Sequence, residues 1–266
     1  MLISMYFSET PLKSFRTQWI LSIVLCLLAT GLPLFAQNDD PDSDASKRGV
    51  TLRFEALKEG AGEMVLIEGG TYEGAAVNSF HMDVDLVTVE QYEACIEAHV
   101  CPPPPDNGLW GATYNRNKSK QRPINETNWF NAKTYCEWLG KRLPTEREWE
   151  WAARGREEGR LYPWGNKPPT RESACWMRYD GETDTGQGPC EVGLHNVSRD
   201  GVKDLAGNLW EWTSTYYDAQ QTLIVLKGGA WYNDVPARLL VKTRGKATPY
   251  NTGAASDGFR CVRDAR

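Results

Sequence analysis

KRLPTEREWEWAARG, Lys141 to Gly155, reads as a short helix that carries its own start signal. Thr145 and Glu148 stand three residues apart, the spacing at which a threonine oxygen takes the amide of the third helical residue and the glutamate returns to the threonine amide. The rigid KRLP run fixes how the chain approaches that helix. Just upstream, Asn128 precedes WFNAKTYCEWLG, where Trp129, Ala132, Tyr135, Cys136 and Leu139 make an apolar stripe that stops at Gly140. Further back, Thr88 and Gln91 form a second capping box in front of VEQYEACIEA, with Tyr92, Cys95 and Ile96 on one face. Helices this short need a larger body to pack against.

That body is made of loops. MVLIEGGTYEG, from Met64, predicts a strand, a glycine turn and a second short strand. Beyond Gly155 regular periodicity nearly vanishes, and the chain is dense in Gly, Pro, Asn, Asp and Trp. Ordered loops of this kind need covalent staples and internal polar partners, because coil cannot satisfy its own buried amides. The 11 tryptophans supply apolar area, each with an indole N–H free to reach a loop carbonyl. One domain, over residues 63–266, is the expectation.

Residues 19–36, WILSIVLCLLATGLPLFA, follow Lys13 and Arg16 and precede QNDDPDSD. Basic, then apolar, then polar is the order of a secretory signal, expected over 1–36 with removal after Ala36; an uncleaved anchor, the chain's only link to a membrane, is the alternative. Residues 37–62 follow as a disordered linker whose first part has too few large apolar side chains to repay ordering. The chain is therefore read as exported: periplasmic, cell-surface or extracellular. Six cysteines remain beyond the leader, Cys95, Cys101, Cys136, Cys175, Cys190 and Cys261, and in an oxidising compartment pairing is the default, with fifteen connectivities open. A net charge of −5 without any long basic cluster excludes nucleic acid as a partner.

MVLIEGGTYEG, VTVEQYEAC, AKTYCEWLGKRLPTEREWEWAARG, YPWGN, VKDLAGNLWEWTS, LKGGAW and GFRC occur in an order and spacing similar to the formylglycine-generating enzyme, or sulfatase-modifying factor, family, over about Met64 to Arg263. The resemblance implies an α+β, C-type-lectin-like fold, a single compact, loop-rich domain low in regular secondary structure, and a disulfide between Cys136 and Cys261. Cys95 with Cys101 and Cys175 with Cys190 are then the pairs local in sequence. It also implies a structural calcium ion at Asp204, Gly207, Leu209 and Glu211, oxygen donors suited to that hard cation. Without the ion, Asp204 would cap a turn and Glu211 would pair with a nearby cation. A second calcium site of the family falls near Ala174, Cys175 and Asp184; it is expected to be absent, since an asparagine ligand is missing and a Cys175–Cys190 bond would occupy the spot.

Active members of the family oxidise a sulfatase cysteine with oxygen and copper(I) held by two thiolates, the soft ligands that ion needs. The matching positions here are Asn233 and Arg238, and no cysteine lies between Cys190 and Cys261. Copper is therefore not expected. Ala230 replaces the serine after the glycine pair, and only Trp210 persists from the copper pocket. Iron-dependent members use histidines, but His81, His99 and His195 lie in unrelated loops without H-x-x-x-E-x-x-H spacing. Neither G-x-S-x-G nor a phosphate loop ending in Lys-Ser or Lys-Thr occurs.

The expectation is an exported binding module for an unknown protein, peptide or glycan. Its pocket should lie where LKGGAWYNDVPAR, TYYDAQ and the loop before GFRC meet, with Trp231, Tyr232, Asn233, Arg238 and Trp210 as ligand-binding residues. The bland alternative makes Trp231 and Tyr232 core aromatics. The enzymatic alternative is a formylglycine-generating oxidase or related oxidoreductase acting on a sulfatase cysteine, an inference from fold alone. The variable binding proteins of some diversity-generating systems share the fold and a GFR ending, which favours recognition.

Overall fold

Met64, Val65, Leu66 and Ile67 form β1 (Met64–Ile67), which pairs antiparallel with β4 (Phe80–Asp83); β4 in turn pairs with β9 (Val262–Asp264), in the order β1-β4-β9. The register sets Ile67 against Phe80 and Met82 against Val262, four residues that are buried together. This computed structural model describes residues 62–106, 111–114, 119–177, 188–252 and 254–265. The leader expected over 1–36 and all but the last residue of the linker lie outside the described residues.

Between β1 and β4 the chain makes a hairpin from β2 (Gly70–Tyr72) and β3 (Ala75–Val77). It turns on Glu73 and Gly74, whose φ angles of 51° and 76° are both positive, as a two-residue turn matched to strand twist requires. The second larger sheet runs β7-β6-β5-β8, from β5 (Trp210–Tyr216), β6 (Ile224–Lys227), β7 (Gly245–Ala247) and β8 (Asp257–Gly258), with β8 parallel to β5.

All three helices start where their capping residues predict. Thr88 and Gln91 close a capping box on α1 (Val89–Glu97), and Asn128 accepts the Asn131 amide at the start of α2 (Trp129–Trp138). Thr145 and Glu148 close the second box on α3 (Glu146–Ala153). Such a cap stabilises by about 1 kcal/mol. After α2, Gly140 takes φ 66°, the left-handed position that ends a helix.

Staples and tryptophans hold the rest. Disulfides join Cys95 to Cys101, Cys136 to Cys261 and Cys175 to Cys190. The second ties residues 125 apart, so α2 is bound to the last strand; on the chain-entropy model that closure stabilises by about 4–5 kcal/mol. Trp149, Trp151 and Trp212 are wholly buried. Indole N–H groups of Trp129, Trp151 and Trp212 donate to the carbonyls of Thr213, Glu68 and Thr127, at 2.8, 2.9 and 3.0 Å. Each therefore fills the core and satisfies a backbone acceptor at once.

Candidate functional site

The loop after β6 packs so closely that its two glycines are obligatory. A Cβ on Gly228 would sit 2.9 Å from the Leu205 carbonyl oxygen, and one on Gly229 2.8 Å from that of Arg238, with φ at 95° and 78°. The chain then turns inward. Trp231 is 3% exposed, lies against Gly111 and donates its indole N–H to the Ala255 carbonyl at 3.3 Å. Asn233 is also structural: its side-chain oxygen accepts the Ala230 amide at 2.8 Å, its own amide donates back to Ala230, and its carbonyl accepts from Met177. Trp210 packs its ring on Gly245 inside the core.

Three of the five expected ligand residues are thus scaffold, for reasons of packing and hydrogen bonding. Tyr232, 40% exposed and edge-on to Trp231 at 5.6 Å, and Arg238, exposed in the 3₁₀ turn Pro236–Leu239, remain available to a partner. Cys261 offers no thiol near this loop, since it is buried and bonded to Cys136.

TYYDAQ and the loop before GFRC do meet, on the first turn of α2. The Trp129 amide donates to the Pro249 carbonyl at 3.1 Å, which anchors the loop carrying Tyr250. Phe130 lies 5.2 Å from the Trp129 ring and 5.0 Å from that of Tyr250, while Tyr216 reaches Trp129 at 6.4 Å. Phe130, Tyr216 and Tyr250 are 39%, 39% and 73% exposed. Sequence reasoning missed Phe130 and Tyr250. The available signal was WF at a helix start, where Trp129 points to the core and its neighbour, about 100° round the helix, cannot.

The positions expected to hold calcium fall on a tight loop. Asp204, Gly207 and Asn208 all have positive φ, at 54°, 82° and 59°. Asn208 straps this loop to the Cys175–Cys190 bridge, donating its amide to Cys175 and accepting that of Cys190. Glu211 is wholly buried, and its carboxylate accepts Arg260 Nε at 2.8 Å, Arg260 Nη2 at 2.9 Å and the Trp149 indole N–H at 3.0 Å. Three of its four lone-pair positions are filled. The pairing with a nearby cation, expected for Glu211 without an ion, is present in the fold.

Asp204 is different. It accepts amides from Gly193 and His195, and burial, with help from the like charge of Asp85, pushes its carboxyl up to about 7. Asp204 and Glu211 are oxygen donors of the kind calcium takes, and both accept hydrogen bonds from the protein. Among the described residues no three His, Cys, Asp or Glu side chains gather to hold a metal. His195 Nδ1 lies 3.8 Å from Asp204. Asp184, expected near the second site, lies outside the described residues.

Residues 51–265 match the family model for the sulfatase-modifying factor enzyme 1-like domain. The chain belongs to this family. Inactive C-alpha-formylglycine-generating enzyme 2 of Bos taurus is 42% identical over 159 residues, 54% of this chain and 50% of that protein. The formylglycine-generating enzyme of Bos taurus is 34% identical over 165 residues, covering 53% of this chain and 44% of the enzyme. The chain thus spans about half the length of the curated relatives it matches. Among solved structures, PvdO from Pseudomonas aeruginosa superposes with a TM-score of 0.63 at 20% identity, over 77% of this chain and 95% of PvdO. That likeness speaks for the fold, the α+β, C-type-lectin-like domain that the motifs imply.

Proposed function

We propose that this member of the sulfatase-modifying factor family is an exported binding module rather than an oxidase. The observation that carries the reading is the aromatic face: Phe130, Tyr216 and Tyr250 are exposed, in mutual reach through Trp129, and anchored by a backbone bond to Pro249. Exposed clustered aromatics are unusual on a monomer and suit a peptide or glycan, since each ring offers contact area at little entropic cost. The positions matching the family's copper thiols are Asn233 and Arg238, and Asn233 is committed to closing its own turn. All six cysteines among the described residues form disulfides, which mark a chain that folds in an oxidising compartment. The bovine relative that is 42% identical is itself named inactive.

The oxidase reading rests on the 34% identical enzyme. Incubating the protein with copper(I), oxygen and a sulfatase-motif peptide separates the two: no aldehyde is expected, and robust conversion overturns the binding reading. On peptide and glycan arrays, ligands bound by the wild type should be lost in the Phe130→Ala/Tyr250→Ala variant. Calcium, on this reading, is structural and held by Asp204 with the Gly207 and Leu209 carbonyls. It should raise the melting temperature, and Asp204→Ala should abolish that rise; equal melting in calcium and chelator removes the ion from the account.

A further inference from the structure

Around Tyr72, cations outnumber carboxylates. A cleft of about 650 Å³ opens between the β2–β3 hairpin, the start of α3 and the segment before β7, lined among others by Tyr72, Glu73, Glu146, Arg147, Lys242 and Arg244. Three cations crowd one ring: the Arg154 guanidinium carbon is 4.5 Å from the Tyr72 centroid, the Lys242 ammonium 4.6 Å and the Arg147 carbon 5.7 Å. The carboxylates nearby are mostly committed. Glu150 accepts the Tyr72 hydroxyl at 2.5 Å and the wholly buried Lys227 at 2.7 Å. Glu146 is held by Arg244 at 2.8 Å, with Lys227 at 3.7 Å.

Glu73 pairs with Lys242 from the hairpin tip, where its side chain is more than half exposed. Glutamate is a poor residue for that turn, which favours Asn, Asp or Gly at positive φ. Five cations thus face three carboxylates, in a chain whose net charge is −5. A purely structural ion network explains Lys227, Glu150 and Tyr72. Arg147 donates to the Tyr72 carbonyl, and the one carboxylate whose charge it and Arg154 share is Glu73, which is bonded first to Lys242.

We propose that this cleft binds a tetrahedral oxyanion, the phosphate or sulfate group of a small molecule, between Arg147, Lys242 and Arg244, all of which line it. Two planar guanidinium forks and one ammonium line it, a donor set that suits an ion with several equivalent oxygens. The volume falls in the range of small-molecule sites and leaves room for what the anion is attached to. Glu73 acts as a tethered stand-in for the ligand and gives up Lys242 when the anion enters. The site is distinct from the aromatic face: Thr215 lines the cleft, whereas its neighbour Tyr216 reaches Trp129.

Calorimetric titration of the full chain with inorganic phosphate, inorganic sulfate and glycerol 3-phosphate tests this, at low and at physiological salt. Saturable one-site binding is expected, with phosphate and sulfate competing. Affinity should fall tenfold or more in Arg147→Gln/Lys242→Gln and rise several-fold in Glu73→Gln, which removes the competing carboxylate. No saturable binding by the wild type, or binding that the double variant leaves unchanged, overturns the proposal. Should the double variant not fold, Glu73→Gln decides alone: higher affinity supports the site and unchanged affinity refutes it. Binding of the free ions with refusal of the monoester overturns the small-molecule assignment.

Discussion

Glu211→Gln is the substitution that most directly tests how this loop-rich chain holds together. Arg260 and Glu211 are both wholly buried. The guanidinium uses its donors completely: Nε and Nη2 on the Glu211 carboxylate, Nη2 also on the Lys203 carbonyl at 2.8 Å, and Nη1 on the Asp83 and Val84 carbonyls at 3.2 and 2.9 Å. Glutamine keeps the size and one oxygen, but it removes the carboxylate charge to which the buried Arg260 is bonded and turns an N–H₂ towards donors. Breaking a buried pair from one side costs about 3–5 kcal/mol. For a domain of this size that is roughly 6–20 °C in melting temperature. Urea and thermal denaturation followed by circular dichroism measure it, in calcium and in chelator. If the ion pair is the cause, the loss persists in chelator; if an ion on Glu211 were the cause, wild type and variant would converge there. A loss below about 1 kcal/mol refutes the reasoning. The double replacement Glu211→Leu/Arg260→Met should recover much of the loss, because well-packed apolar side chains commonly substitute for a buried pair.

Two further outcomes follow from the same geometry. Non-reducing peptide mapping should recover Cys136 linked to Cys261, and the paired change Cys136→Ser/Cys261→Ser should cost about 4–5 kcal/mol, while a free thiol at either position contradicts the pairing. Burial pushes the Asp257 carboxyl from 3.8 up to about 6, so the folded chain holds that proton more tightly than the unfolded one. Its contribution to stability is complete below about pH 3.8 and is lost as pH rises through 6, about 2–3 kcal/mol in all. Asp257→Asn should flatten this part of the pH profile, and a variant with the wild-type slope refutes the assignment.

The local features were legible because their causes are local. Thr88, Asn128 and Thr145 cap helices through partners three residues away, and Gly140 ends one through its own φ. The motif resemblance supplied Cys136–Cys261, which no spacing rule could single out among fifteen connectivities. Which aromatics face water was not legible. Trp231 is buried because Gly111, 120 positions earlier, leaves room for its ring, and Phe130 is exposed because Trp129 takes the inward position on the first turn of α2. That Arg260 is the cation beside Glu211 was not legible either, because it lies 49 residues on, in a strand-flanking loop whose direction only the assembled sheets define.

These distances separate scaffold from surface. Arg260 joins the segment after β4, the 203–204 turn and β5, and Cys136–Cys261 locks α2 beside it; neither draws on the exposed side chains of Tyr232, Arg238, Phe130 or Tyr250. Those four are held at the surface by neighbours that are themselves fixed: Trp231 under Tyr232, the 3₁₀ turn under Arg238, Trp129 and Pro249 under Phe130 and Tyr250. Exchanging an exposed residue on such a frame shifts stability within about 0.5 kcal/mol. Substitutions at these four exposed positions can therefore change what the surface recognises without loss of the fold. Within GNLWEWTS and GFRC, Glu211 and Arg260 stabilise the domain, and that role does not depend on what the loop binds.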